Sequence, residues 1–108
     1  MSLSTHVLDA SAGRPAAGVS VRLERRGADG WVPVTEGVTD DDGRLRDLTA
    51  AAAGEYRLVF GTGEHYARQG IESFHPEVTV TFRIIDPVEH HHVPLLLSPY
   101  SYTTYRGS

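Results

Sequence analysis

The sequence predicts an all-β protein, a two-sheet β-sandwich of about eight strands with one short helix. Three observations carry that expectation. Short β-prone runs alternate with Gly-, Pro- and Asp-rich turn signals at the spacing of sandwiches and barrels. Two runs, GVSVRLERR (18–26) and EVTVTFRI (77–84), alternate in polarity with the period of a strand buried on one face. A chain of 108 residues with 40% hydrophobic and 22% charged content supports one modest core, so residues 1–108 read as a single domain.

Taken in order, THVLDA (5–10) is a first strand, closed by the turn Ser11–Pro15. In 18–26, Val19, Val21 and Leu23 point one way and Ser20, Arg22 and Glu24 the other. Ala28-Asp29-Gly30 turns the chain into WVPVTEGVT (31–39), where Pro33 predicts an edge position or a bulge because it has no N–H to give a ladder. TDDDGR (39–44) holds an Asp-Gly turn, followed by a short piece from Arg44 to Leu48. The Ala-rich stretch 50–53 reads as a loop and EYRLVFG (55–61) as a strand. TGEHYARQG (62–70) suits one short helix, with Thr62 as its N-cap and Gly70 at its close. After the strand at 77–84, VEHHHVPLLL (88–97), a Ser98-Pro99 turn and YSYTTYRGS (100–108) make a last strand pair. In 91–97, His91, Val93, Leu95 and Leu97 share one face, and His92, Pro94 and Leu96 share the other. Both faces are substantially apolar, so the outer one is expected to be covered by another subunit.

Composition narrows the function. A net charge of −4 lacks the surplus of Lys and Arg that a phosphate-binding face needs, so nucleic acid is not an expected partner. The absence of Cys excludes disulfides, thiolate metal sites and a cysteine nucleophile. No apolar run approaches the roughly 20 residues that span a bilayer. The N-terminus has neither a basic leader nor a long apolar segment, so the expected setting is cytoplasmic, with no membrane partner.

Two clusters carry possible chemistry. TDDDGR fails as a calcium loop: with Gly43 as the sixth position, Val38 and Thr49 fall where carboxylates are required. It is an acidic hairpin turn that sets Arg44 where a guanidinium can meet an anionic ligand. The histidine run at 90–92 has two active readings beside a merely hydrogen-bonded one. His90 and His92, two residues apart, share a strand face and could share a zinc ion, although nothing in the sequence identifies a third ligand. In the catalytic reading, a neutral imidazole acts as general base beside a cation and hydroxyl groups. His6, Arg44 and the hydroxyl-rich terminus are the candidate partners.

STHVLDASAGRPAAGV (4–19), TDDDGR (39–44) and EHHHVPLLLSPYSYTTYRGS (89–108) together resemble the transthyretin-like proteins, and within them the 5-hydroxyisourate hydrolases of purine degradation. The resemblance runs from Ser4 to Ser108, and the closing YRGS is its most specific part. It implies a transthyretin-like β-sandwich assembled as a homotetramer, with active sites at the dimer–dimer interface. It also implies hydrolysis of 5-hydroxyisourate, a small-molecule substrate, to a carboxylated ureidoimidazoline by His-assisted attack of water on the ring carbonyl. Residue by residue, it implies catalytic roles for His6, Arg44, His92 and Ser108. Substrate binding would fall to His6, Arg44, Tyr105, Arg106, Gly107 and Ser108, with no metal and no cofactor. His91 departs from the family's usual His-Tyr-His, and alternation turns it away from His92. The alternative is a transthyretin-like carrier that binds a small molecule or hormone without turnover.

Overall fold

The computed structural model describes residues 2–50 and 52–108; Ala51, in the predicted 50–53 loop, lies outside the described residues, as does Met1. Among the described residues, nine strands and one helix follow in order: β1 (Leu3–Asp9), β2 (Arg14–Pro15), β3 (Ser20–Gly27), β4 (Gly30–Val38), β5 (Arg44–Leu48), β6 (Gly54–Phe60), α1 (Thr62–Ala67), β7 (Val78–Ile84), β8 (His91–Ser98) and β9 (Ser101–Thr104). They form two sheets. One is the antiparallel run β4-β3-β6-β7; the other is β2-β1-β8-β9, with β5 also pairing β1. β5 pairs the first half of β1, and β2 pairs its end. On its other side β1 runs parallel to β8, from Leu3 opposite His91 to Asp9 opposite Leu97.

Alternation decides which residues are inside. Leu3 and Val7 of β1, Val21 and Leu23 of β3, Tyr56, Leu58 and Phe60 of β6, and Leu95 of β8 are all buried between the sheets. Each such side chain contributes about 1.5–3 kcal/mol through burial. Residues of opposite parity on β1 and β8 (Ser4, His6 and Leu8; His92, Pro94 and Leu96) lie on the outer face of their sheet.

Pro33 meets both of its expected settings. β4 is an edge strand, and its register with β3 shifts between Leu23 and Glu24, opposite Thr35 and Pro33. Thr62 is a correction. The helix N-cap is Gly61, which makes no side-chain cap, and Thr62 is already the first helical residue, its buried hydroxyl unpartnered among the described residues. The Gly61 N–H bonds the Ser20 carbonyl at 2.9 Å, so strand-to-helix packing puts the boundary one residue before the hydroxyl that local chemistry favours. The helix ends at Ala67, ahead of the turn at Gly70. It is held to β1 by His65, whose Nε2 lies 3.3 Å from Oδ2 of Asp9. Among the described residues, no helix is long and apolar enough to cross a membrane.

Candidate active site

The Asp-Gly turn places Arg44. Oδ1 of Asp40 accepts the N–H groups of Asp42 and Arg44, each at 2.9 Å, and closes the turn on itself. Gly43 sits at φ 74 with its α-carbon against the Val7 carbonyl, where any side chain would clash. β5 therefore starts at Arg44, directly opposite His6 on β1. His6 donates from Nε2 to the Asp42 carbonyl at 2.8 Å, which leaves its Nδ1 as the unprotonated nitrogen of the neutral ring.

β8 supplies the second half. Its parallel pairing puts Ser4 opposite His92 and His6 opposite Pro94. Oγ of Ser4 lies 2.8 Å from Nδ1 of His92 and 3.3 Å from Nε2 of His90, and the other nitrogen of His90 contacts the Ser2 hydroxyl. The His90 and His92 rings are nearly parallel, with centroids 6.4 Å apart. His91 points the opposite way, as alternation requires. It is buried between the sheets, and its Nδ1 donates to the Glu89 carbonyl at 3.0 Å.

After β9 the chain returns to β8. The Gly107 N–H bonds the His92 carbonyl at 2.8 Å, an isolated antiparallel bridge that brings the last residues across the site. A β-carbon at Gly107 would stand 2.5 Å from Cδ2 of His92, so the tail lies flat against the imidazole only because position 107 has no side chain.

These pieces enclose an open cavity of about 400 Å³ lined by Ser2, Ser4, Arg44, Asp47, His92 and Ser108, among others. Of the residues expected from sequence, Arg44, His92 and Ser108 line this cavity, Gly107 backs it, and His6 stands beside it as the cross-strand partner of Arg44. Tyr105 and Arg106 line a neighbouring cavity with Val80, Phe82 and His91, and Arg106 pairs with Glu89 at 3.0 Å. Ser4, Ser2 and Asp47 escaped the sequence reading. Alternation alone would have put Ser4 on the face of His6, but the partner strand that gives it meaning is 88 residues away.

The electrostatics favour a neutral base. The pKa of His92 is lowered from its usual 6.5, first by burial and then by the positive charges of Arg44, His6 and His90 when protonated, against a smaller upward pull from the backbone of Ser4. The arrangement joins an unprotonated imidazole, a guanidinium and a hydroxyl in one polar cavity, which suits proton abstraction from water beside a developing negative charge. Among the described residues, no group of three His, Asp or Glu side chains is placed to hold one metal ion.

Residues 3–107 match the family model described as HIUase/Transthyretin family. The chain is 49% identical to a 5-hydroxyisourate hydrolase of Salmonella dublin, over 98% of this chain and 80% of the relative. The structure of Klebsiella pneumoniae 5-hydroxyisourate hydrolase superimposes with a TM-score of 0.88 at 40% identity, covering 100% of both chains. Sea bream transthyretin in complex with thyroxine superimposes with a TM-score of 0.90 at 37% identity, over 97% of this chain and 93% of that one.

Proposed function

The chain belongs to the HIUase/Transthyretin family, and from that premise we propose that it is a 5-hydroxyisourate hydrolase, a cyclic amide hydrolase that opens the substrate's six-membered ring with water. The observation that carries the reading is the meeting of Arg44, His92 and Ser108, from three distant segments, in one cavity. His92, held neutral, takes a proton from water as the oxygen attacks the ring carbonyl. Arg44 pairs with the oxygens of the heterocycle and stabilises the tetrahedral oxyanion. The C–N bond then breaks, the ring nitrogen takes up a proton, and the new carboxyl group ionises. His6 orients water or substrate from beside Arg44, and Ser108 positions the substrate. Arg106, paired with Glu89, holds the tail that delivers Gly107 and Ser108, and Tyr105 contributes to substrate binding.

The assembly in this reading is a homotetramer with the active sites at the dimer–dimer interface. Its support is the outer face of β1 and β8, where Leu8, Pro94 and Leu96 continue the face that carries His6 and His92. The open cavity lies on that same face.

The test is to generate 5-hydroxyisourate in situ by oxidising urate and to follow its decay. Wild type should accelerate decay, whereas His92→Ala and Arg44→Ala should each lose roughly 10²-fold or more in kcat/KM, the scale of a positioned base or oxyanion donor. Saturable binding without turnover would instead favour a carrier. The pH profile carries its own sign. Because the pKa of His92 is lowered from 6.5, the neutral, active form persists to lower pH than for a free histidine. kcat/KM should therefore fall only on the acid side of 6.5. A rate that never falls as the pH is lowered, down to the acid limit of folding, would count against a histidine base.

A further inference from the structure

Ser2, His90, Ser4 and His92 form a single file of hydrogen-bonding groups along the wall of the cavity. A hydroxyl has one proton to donate, and a neutral imidazole has one N–H and one bare nitrogen. Where each inner member, His90 and Ser4, donates to one neighbour and accepts from the other, the file can be polarised in only two ways. In the first, His92 donates from Nδ1 to Ser4, Ser4 donates to Nε2 of His90, and His90 donates from Nδ1 to Ser2. Nε2 of His92 is then bare and able to accept a proton. In the second, every donor is reversed, Ser4 donates to Nδ1 of His92, and Nε2 carries a proton and cannot act as a base.

The surroundings choose between them. Nδ1 of His92 is occupied by Ser4, so its other nitrogen is the one left for the cavity, which it shares with the Arg44 guanidinium. A lone pair facing that cation is attracted, and an N–H dipole facing it is repelled. The other charged side chains lining the cavity are Arg46 and Asp47, so two guanidiniums stand against one side-chain carboxylate. The neighbouring Arg106 is neutralised by Glu89.

We propose that Ser4 and His90 are positioning residues for the hydrolysis, setting His92 in its Nδ1–H tautomer so that Nε2 is the base. The inference rests on the reading of His92 as the base. It gives His90 a role of its own: as the acceptor of the Ser4 proton, it keeps Ser4 from donating to His92. A threonine can do what Ser4 does, because only the hydroxyl is used. An alanine cannot.

The tautomer can be measured without turnover. In full-length protein labelled with ¹⁵N at histidine, protonated and bare ring nitrogens have well-separated shifts. At a pH where His92 is neutral, wild type and Ser4→Thr should show a protonated Nδ1 and a bare Nε2. Ser4→Ala and His90→Ala should shift population toward the Nε2–H form. In the decay assay, Ser4→Ala should lower kcat roughly tenfold with KM little changed, a part of the ~10²–10⁴ that a positioned general base contributes, and Ser4→Thr should restore it. A protonated Nε2 on His92 in the wild type would overturn the proposal. So would a tautomer indifferent to both alanine substitutions. The nitrogen shifts decide the matter whether or not His92→Ala retains turnover, so this inference and the assignment of the base fail separately.

Discussion

A methyl group at position 107 would stand 2.5 Å from Cδ2 of His92 and 3.3 Å from Cγ of Pro94. Something must move to admit it, and the movable parts are the imidazole and the tail, since Pro94 lies in a paired strand. Gly107→Ala should therefore lower kcat/KM at least tenfold, the cost of a small misplacement of a catalytic group. Thermal unfolding should shift little, because the tail lies outside the buried core. A variant with wild-type turnover would mean that the ring seat does not matter. At this scale the sequence was informative about residue identity and less so about contact. The family resemblance picks out His92, and alternation turns His91 away from it. The Ser4 hydroxyl beside His92, however, needs a strand pairing that no local pattern encodes.

Among the elements, β3 and β6 show how the outer face of the second sheet is held. Glu24 has the outward parity expected for 18–26, yet its side chain is only 9% exposed, because the Arg22 and Arg57 guanidiniums close over it. Arg57 also lies 4.4 Å from the Trp31 ring centroid and joins β4 to the cluster. Hydrogen bonds to Arg22 and then Arg57 lower the Glu24 pKa from 4.5. A carboxylate with a depressed pKa adds stability above its unfolded value and loses it as pH falls through the folded one. Glu24→Ala should thus cost about 1–2 kcal/mol near neutral pH, after allowing for the partial exposure of both arginines. The difference from wild type should shrink below about pH 4.5, which thermal melts at several pH values can read. The strands themselves were legible because each depends on period-two alternation. Thr62 was misread for the opposite reason: a cap is chosen by local chemistry only where packing leaves the choice open, and Gly61 is bonded to Ser20.

For the whole molecule, the decisive feature is that the tail crosses back over the site. Residues 105–108 add nothing to the buried core, and the bond from Gly107 to His92 ties them to β8. Removing them should abolish turnover while the unfolding midpoint changes by only a few degrees. Full activity in that truncation would remove the tail from the mechanism. The assembly is tested separately. The proposed assembly predicts that wild type sediments as a tetramer and that Leu96→Arg, which puts a charge on the apolar outer face of β8, sediments as smaller species. Turnover should fall with it if the sites lie between dimers.

The sequence by itself determined the class of fold, the inward and outward faces of the strands, and the turn that presents Arg44. Each of these is local: alternation is read over a few residues, and the Asp40–Gly43 turn is made by its own side chain and glycine. The tertiary structure alone decided which faces meet. It set β8 parallel to β1, with Ser4 against His92 across 88 residues of chain, and brought Ser108 to the cavity of Arg44. Such pairings are selected by burial of the whole sheet and leave no mark on the residues they join, which is why the hydroxyl nearest the proposed base is visible only in the folded chain.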